Sequence, residues 1–227
     1  MKVKILSVLA GAAMLAGIAN AEYKGLWTEE YTNAAYEAPP NTITFRLYAT
    51  FDNDLDQLTG MGGSAAEPWE LYTTTAFYND ETAGSHWAHN AFFDDFIDFL
   101  HYDSYWTIGT DDSEAGAPLG IAFPGEQPIW DATHWFANDG GVFRTPEDPL
   151  SFGVWDPDLE LYTVLIGNFT MDLLPGAAGE YAYGAVKMNM VSDGAQLNIY
   201  EDILVPIPAP GALALLGLAG LVSRRRR

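Results

Sequence analysis

The sequence contains no cysteine among its 227 residues. It therefore forms no disulfide bond, offers no thiolate nucleophile and holds no metal through sulfur ligands. A chain of this length suits one domain of ordinary size together with processing segments. Hydrophobic residues make up 48% of the chain and aromatic residues 14%, which is enough for a real core. The fold must then be held together by packing or by bound ions.

Basic residues are also scarce, with 10 lysines and arginines against 31 aspartates and glutamates. Six of the 10 lie at the two ends, which leaves 4 basic against 31 acidic residues in 22–205, a net charge of −27. Nucleic-acid binding depends on neutralising phosphates with Lys and Arg. The composition therefore excludes DNA and RNA as partners. Such acidity is typical of a solvated surface, and it also suits a bound cation such as Ca²⁺.

The body lacks the motifs of the common enzyme classes. It contains no Gly-x-Ser-x-Gly elbow, no phosphate-binding loop and no dinucleotide fingerprint. His86 and His89 are three residues apart, but the glutamate of a His-Glu-x-x-His zinc motif is missing. Carboxylates are numerous enough for a glycosidase pair, yet abundance does not single out a pair. We therefore predict no enzymatic activity and no catalytic residue.

Alternating hydrophobic residues predict an all-β fold. In residues 42–51, Ile43, Phe45, Leu47, Ala49 and Phe51 fall on one side of a half-buried strand. Similar patterns, separated by Gly- and Pro-rich turns, predict further strands, of which the last three are expected to form a meander. We predict a jelly-roll-like β-sandwich. The other predicted strands are residues 69–80, 104–110, 150–156, 160–174, 180–192 and 195–202.

Two stretches of the body depart from the strand pattern. Hydrophobic residues at helical spacing predict a short helix near residues 87–100. Residues 52–64 are rich in turn formers, and Asp52, Asp54 and Asp56 alternate there beside an asparagine. Alternating carboxylates supply oxygen ligands of the kind that Ca²⁺ prefers, although the glycine and glutamate of an EF-hand loop are absent. These three aspartates are the candidate calcium ligands, and an unliganded solvated turn is the alternative.

The seven tryptophans allow two interpretations. Large aromatic side chains can fill the core of a protein without disulfides. Alternatively, Trp130, Trp135 and Trp155, which lie in Gly-, Pro- and Asp-rich surroundings, can stack on sugars at a β-sandwich surface. The full set is Trp27, Trp69, Trp87, Trp106, Trp130, Trp135 and Trp155.

The N-terminus carries the features of a secretory signal peptide. Lys2 and Lys4 precede an apolar run over residues 5–18, and Ala19 and Ala21 place small residues at the −3 and −1 positions. We therefore expect a signal helix in residues 1–21, with cleavage after Ala21. The run is short for a permanent membrane span.

The C-terminus combines prolines, a short apolar run and a basic end. Pro206, Pro208 and Pro210 interrupt regular structure, so the segment around them is expected to be extended and exposed. A helix over residues 211–222 covers about 18 Å, whereas a bilayer core needs about 30 Å. This hydrophobic helix suits a transient membrane anchor, stopped by a cluster of cations. The cluster consists of Arg224, Arg225, Arg226 and Arg227.

This tail resembles the PEP-CTERM sorting signal of Gram-negative and planctomycete-type bacteria. The matching positions are Val205, Pro206, Pro208, the apolar segment and the terminal arginines, while Ile207 stands where the family usually has glutamate. The resemblance implies recognition by an exosortase, a membrane peptidase-transferase. It also implies delivery to the cell surface or extracellular matrix. In the body, residues 77–78, 102–110 and 164–170 resemble uncharacterised PEP-CTERM proteins.

Together these patterns predict a signal peptide at 1–21, an acidic β-sandwich at 22–204 and a sorting segment at 205–227. The expected function is that of an exported surface or matrix protein with a structural or adhesive role. A carbohydrate-binding module that recognises extracellular polysaccharide is the alternative, and a secreted hydrolase is the third possibility.

Overall fold

The computed structural model describes residues 23–80, 85–88, 97, 99–111, 119–173, 181–192 and 194–206. Within these ranges the chain forms thirteen β-strands and two single-turn 3₁₀ helices. The strands form two antiparallel sheets. The predicted all-β class is confirmed. The jelly-roll-like topology stays a prediction. The two terminal helices also stay predictions, because residues 1–22 and 207–227 lie outside the described ranges.

The first sheet has five strands. They are ordered β1-β2-β11-β10, and β5 also pairs with β11. The longest contact joins β2 to β11, from the pair Tyr162 and Phe51 to the pair Asp172 and Thr42. The strands are β1 (Tyr23–Glu30), β2 (Thr42–Phe51), β5 (Tyr105–Trp106), β10 (Val154–Asp156) and β11 (Leu161–Asp172).

The second sheet has eight strands built around β12 (Tyr181–Ser192). One edge of β12 pairs along its whole length with β13 (Ala195–Pro206). The other edge pairs with β3 and β4, which are followed outward by β9 and β6 and by β8 and β7. These six strands are β3 (Gln57–Gly63), β4 (Trp69–Thr73), β6 (Gly120–Ala122), β7 (Ile129–Trp130), β8 (His134–Ala137) and β9 (Gly140–Phe143).

One hydrophobic core lies between the two sheets. It includes the residues predicted to face inward in β2, from Ile43 to Phe51, all of which are buried. β2 spans the predicted residues 42–51, so both its position and its inward face are confirmed. The second sheet contributes Trp69, Trp135 and Met188 to the same cluster. Burial of large side chains from both sheets is the packing that a domain without disulfides requires.

The predicted meander of the last three strands is wrong for its first member. β11 belongs to the first sheet, where it pairs with β2, whereas β12 and β13 form a hairpin in the second sheet. The tight turn between β12 and β13 contains Gly194 at a φ of +75°. A left-handed residue of this kind favours a close hairpin. The chain changes sheets between β11 and β12.

Strand β3 lies in the stretch that the sequence predicts as turn-rich. Its three glycines lower the strand propensity of residues 57–63, but the neighbouring backbones need the space. A Cβ on Gly62 would lie 2.4 Å from the carbonyl oxygen of Gly140, and one on Gly63 would lie 2.3 Å from that of Ala137. Three other predicted strands, 69–80, 104–110 and 150–156, are shorter in the structure and correspond to β4, β5 and β10.

Strand β13 extends past the predicted domain boundary between residues 204 and 205. Val205 and Pro206 are the last residues of β13, paired with Ala182 and Tyr181. Val205 is only 2% exposed and packs in the core, so it does not belong to an exposed segment. Proline is compatible with the last position of an edge strand, because the missing N–H weakens no interior ladder. The rest of the sorting motif, from Pro208 onward, is outside the described residues.

The predicted helix near residues 87–100 falls mostly on positions that the structure does not describe. At its start, Trp87 forms an isolated bridge with Trp106, and at its end Leu100–Tyr102 form a 3₁₀ turn. Among the described residues, no helix is both long and apolar enough to cross a bilayer.

Candidate functional site: a tryptophan-lined cleft

The three candidate calcium ligands have different surroundings. Asp52 is exposed and forms an ion pair with Lys24, Asp54 is exposed, and Asp56 is fully buried. Between them, Asn53 accepts the backbone N–H of Leu55 at 2.9 Å, which makes a local Asx turn. Over the described part of the chain, no three Asp, Glu, His or Cys side chains are grouped so that they hold a metal ion. Calcium binding stays a prediction of the sequence.

The histidines described by the structure are engaged with aromatic rings. His86 stacks on Trp130, with ring centroids 5.5 Å apart and planes 11° apart. His134 stacks on Tyr72 at 3.9 Å, and His101 lies 3.8 Å from the ring of Tyr36. Burial lowers the pKa of His86, so its imidazole is neutral at neutral pH. His89, the other half of the predicted pair, is outside the described residues.

Three of the seven tryptophans fill the core. Trp69, Trp106 and Trp135 are fully buried and contact one another, which is the core role foreseen for these side chains. Trp135 is therefore not available to stack on a sugar. Trp155 is 49% exposed and packs edge to face on Tyr162. Trp130 is half-buried and lies at the edge of this tryptophan cluster.

A cleft with a volume of about 430 Å³ lies beside this tryptophan cluster. It is lined by Asn79, Ser85, His86, Trp87 and Trp130. Trp130 reaches it from β7, the last strand on its side of the second sheet. Trp87 reaches it from the bridge that it forms with Trp106 of β5. The cleft therefore lies between the β7 edge of the second sheet and the segment around Trp87, which bridges to β5 of the first sheet. The buried indole of Trp135 contacts three of the lining residues, Trp130, His86 and Trp87.

Hydrogen bonds hold the polar lining residues in place. Asn79, with its amide oriented to satisfy its neighbours, accepts the indole N–H of Trp130 at 2.9 Å. Its amide nitrogen donates to Asp103 at 3.2 Å and to the carbonyl of Ser104 at 2.9 Å. The hydroxyl of Ser85 donates to the carbonyl of Trp87 at 2.6 Å and accepts its N–H at 3.0 Å. These bonds fix the lining before any ligand arrives.

Asp103 supports the cleft from inside the protein. Its fully buried carboxylate accepts the N–H groups of Asp80 at 2.8 Å and Ser85 at 3.1 Å. Burial raises the pKa of Asp103 from 3.8 to about 7, against the opposing effect of these hydrogen bonds. The Asp103 side chain is not exposed and so does not face the cleft itself. Its hydrogen bonds hold Asn79 and Ser85 in position.

The outer face of the second sheet offers a second group of aromatic rings. Tyr183 of β12, Tyr72 of β4 and His134 of β8 are in register across three strands. Tyr72 stacks on Tyr183 at 5.2 Å and on His134 at 3.9 Å. Tyr72 therefore lies stacked between the other two rings, and all three rings are engaged with one another. This arrangement suits sheet stability better than a flat binding platform.

Sequence reasoning missed most of the cleft. Trp130 is a candidate for sugar stacking and His86 is considered only for zinc, whereas Asn79, Ser85 and Asp103 are not singled out. The available signal was a lone aspartate inside the aromatic segment of residues 102–106. A charged residue among core aromatics is rare unless it has fixed partners.

Comparison with protein-family models gives no match for this chain. A search among curated proteins likewise gives no significant match. The proposed function accordingly rests on the residues and geometry of the cleft and on the sequence patterns at the two ends.

Proposed function

We propose that this is an exported surface or matrix protein that binds extracellular polysaccharide through the tryptophan-lined cleft. The cleft carries the binding part of this proposal, because its lining combines the indoles of Trp87 and Trp130 with the amide of Asn79 and the hydroxyl of Ser85. Its volume is about 430 Å³, and small-molecule sites span about 300–1,000 Å³. The proposed role is structural or adhesive, without catalysis.

A sugar residue suits this lining for a chemical reason. One face of a pyranose ring presents mainly C–H groups, which pack favourably on an aromatic surface. Its rim carries hydroxyls that need hydrogen-bonding partners when they leave water. The imidazole of His86 stacks on one face of Trp130, so the parts of the half-buried Trp130 and Trp87 rings that remain exposed supply the surface. A mostly apolar site with a few fixed polar groups is the usual design of a ligand pocket.

The export part of the proposal follows from the two ends of the chain. The basic, apolar and small-residue order of residues 1–21 fits signal-peptide cleavage after Ala21. The prolines, apolar segment and arginines of the tail fit recognition by an exosortase at the membrane. Val205 and Pro206 of the proposed motif lie in β13, and the rest of the motif follows them in the sequence. The partners proposed here are thus the export machinery, an exosortase-type enzyme and extracellular polysaccharide.

Binding is tested with the full-length protein on a glycan array, followed by calorimetry with the best glycan. Trp130→Ala removes an indole from the cleft and is expected to abolish binding. Trp155→Ala removes an exposed indole on β10, away from the lining residues, and is the matched control. Binding that is absent in the unmodified protein, or equal in the two variants, contradicts a role for the cleft.

Export is tested separately, by fractionating cells that produce the full chain. Replacing Arg224 through Arg227 by glutamine removes the basic stop and is expected to move the protein away from the surface fraction. Intact-mass measurement of the surface form is expected to show an N-terminus at Glu22. Unchanged delivery of the glutamine variant contradicts a sorting role for the arginines.

A further inference from the structure

Every lysine and arginine of residues 22–205 is held in an ion pair. Arg46 pairs with Asp111 at 2.7 Å, Arg144 with Asp148 at 3.3 Å and Lys187 with Glu67 at 2.6 Å, and Lys24 pairs with Asp52. The sequence places no other Lys or Arg in that range. The folded body therefore has no spare cation with which to neutralise an acidic ligand.

None of these four cations lines the cleft. They lie on β1, on β2, just after β9 and on β12, whereas the cleft is lined by residues 79, 85–87 and 130. Among the residues that the structure describes in the lining, His86 is the only titratable side chain, and burial lowers its pKa. The surroundings are strongly acidic, with a net charge of −27 over residues 22–205.

We propose that the cleft binds an uncharged sugar residue of a neutral polysaccharide and rejects uronic-acid and sulfated chains. This inference rests on the proposed function, because it names the chemical class of the ligand for the same cleft. An acidic sugar that entered would lose hydration without gaining a counter-ion. It would also approach a body of the same charge sign, which opposes association. A neutral sugar incurs neither cost.

Among the polar groups that line the described part of the cleft, the imidazole of His86 is the one placed to meet a sugar hydroxyl. The amide of Asn79 and the hydroxyl of Ser85 are already committed to Trp130, Asp103, Ser104 and Trp87. The imidazole of His86 contacts Trp130 through its ring face. A neutral imidazole offers one donor and one acceptor, and a sugar hydroxyl can meet either.

The experiment compares polysaccharides that share a backbone and differ in charge. The probes are hydroxyethylcellulose against carboxymethylcellulose, and methyl-esterified against de-esterified homogalacturonan. Binding of the full-length protein is measured by affinity electrophoresis and calorimetry. At least one neutral probe is expected to bind at least about tenfold more tightly than its acidic partner at about 0.15 M salt. Its affinity should be nearly the same at about 0.5 M salt, because the contacts are not ionic.

Cleft variants connect the preference to the proposed site. Trp130→Ala is expected to abolish binding of the neutral probe, and Trp130→Phe, which keeps a ring, to retain part of it. Melting curves identify any variant that has lost its fold. His86→Arg introduces a permanent cation that can still stack on Trp130. It is expected to shift the preference toward the acidic member of each pair.

The outcomes separate the inference from the proposed function. Acidic probes that bind as tightly as neutral ones, with the same loss in Trp130→Ala, overturn the neutral-ligand inference and leave polysaccharide binding standing. An unchanged preference in folded His86→Arg also overturns the inference. If no probe shows binding that depends on Trp130, both proposals are overturned. Choline, a small organic cation that aromatic rings can bind, is a further probe. Trp130-dependent binding of choline without binding of any glycan also overturns both proposals.

Discussion

Trp69 packs edge to face on Trp106, with ring centroids 4.8 Å apart and planes 66° apart. Trp69 lies on β4 of the second sheet and Trp106 on β5 of the first, so this contact joins the two sheets. Both side chains are fully buried, and both also contact Trp135. Since Trp135 contacts three residues that line the cleft, the same cluster that stabilises the core also supports the candidate binding site.

Replacing Trp69 by alanine is expected to lower the free energy of unfolding by about 3–5 kcal/mol, because it leaves a large cavity between the sheets. Urea denaturation followed by tryptophan fluorescence measures the loss. Trp155→Ala is the control, since Trp155 is 49% exposed, and it should cost about 1 kcal/mol or less. Similar losses in the two variants would mean that the cluster is not central to stability.

The buried carboxyl of Asp103 predicts a pH dependence of stability. Its pKa is about 7 in the folded protein against 3.8 for an exposed aspartate. Between these values the folded protein keeps a proton that the unfolded chain releases. The Asp103 contribution to the free energy of unfolding is therefore fully present below about pH 4 and is lost as the pH rises through about 7.

Asp103→Asn, which does not titrate, is expected to flatten that decrease in urea denaturation between about pH 4.5 and about pH 7.5. Asp131→Asn is the matched control. Hydrogen bonds from Thr133 lower the pKa of exposed Asp131, so its contribution to pH dependence has the opposite sign. A slope that is the same in native protein and Asp103→Asn would show that Asp103 does not titrate in this range.

The ion pair of Arg144 and Asp148 is buried, with each side chain 2% exposed. Arg144→Met leaves the carboxylate of Asp148 without its counter-ion, and the expected loss of stability is about 3–5 kcal/mol. Lys187→Met breaks the pair with Glu67, whose side chains are 35% and 41% exposed, and should cost less than about 1 kcal/mol. Chemical denaturation of both variants tests the difference, and equal losses contradict it.

Two glycines with similar φ angles allow the cost of a steric clash to be measured apart from the cost of backbone strain. Gly109 has a φ of +81°, and an added Cβ would lie 1.7 Å from the carbonyl oxygen of Leu150. Gly194 has a φ of +75°, with nothing within 4 Å of an added Cβ. Gly109→Ala is expected to cost about 3 kcal/mol or more, and Gly194→Ala about 1 kcal/mol. Thermal melting of the two variants checks this order, and equal shifts would exclude a clash at Gly109.

Strand prediction was most successful where the pattern is local and long. Residues 42–51 alternate over ten positions, and the structure gives a strand with the same bounds. Prediction failed at β3, where the close approach of Gly140 and Ala137 requires glycines that by themselves indicate a turn. It also failed for the partner of β11, because pairing with β2 joins segments more than a hundred residues apart. The local sequence of either strand does not show which distant strand it pairs with.

The amino-acid sequence alone determined the acidic character, the absence of disulfides and the all-β class. It also determined the position and inward face of β2. Composition and the alternation of side chains along a strand are local properties, which can be read directly from the order of residues. Tertiary structure decided which tryptophans are buried, that all four body cations are paired, and that Asn79, Ser85, His86, Trp87 and Trp130 share a cleft. These facts depend on which distant strands pair and on the space left between the sheets, and only the packed chain specifies both.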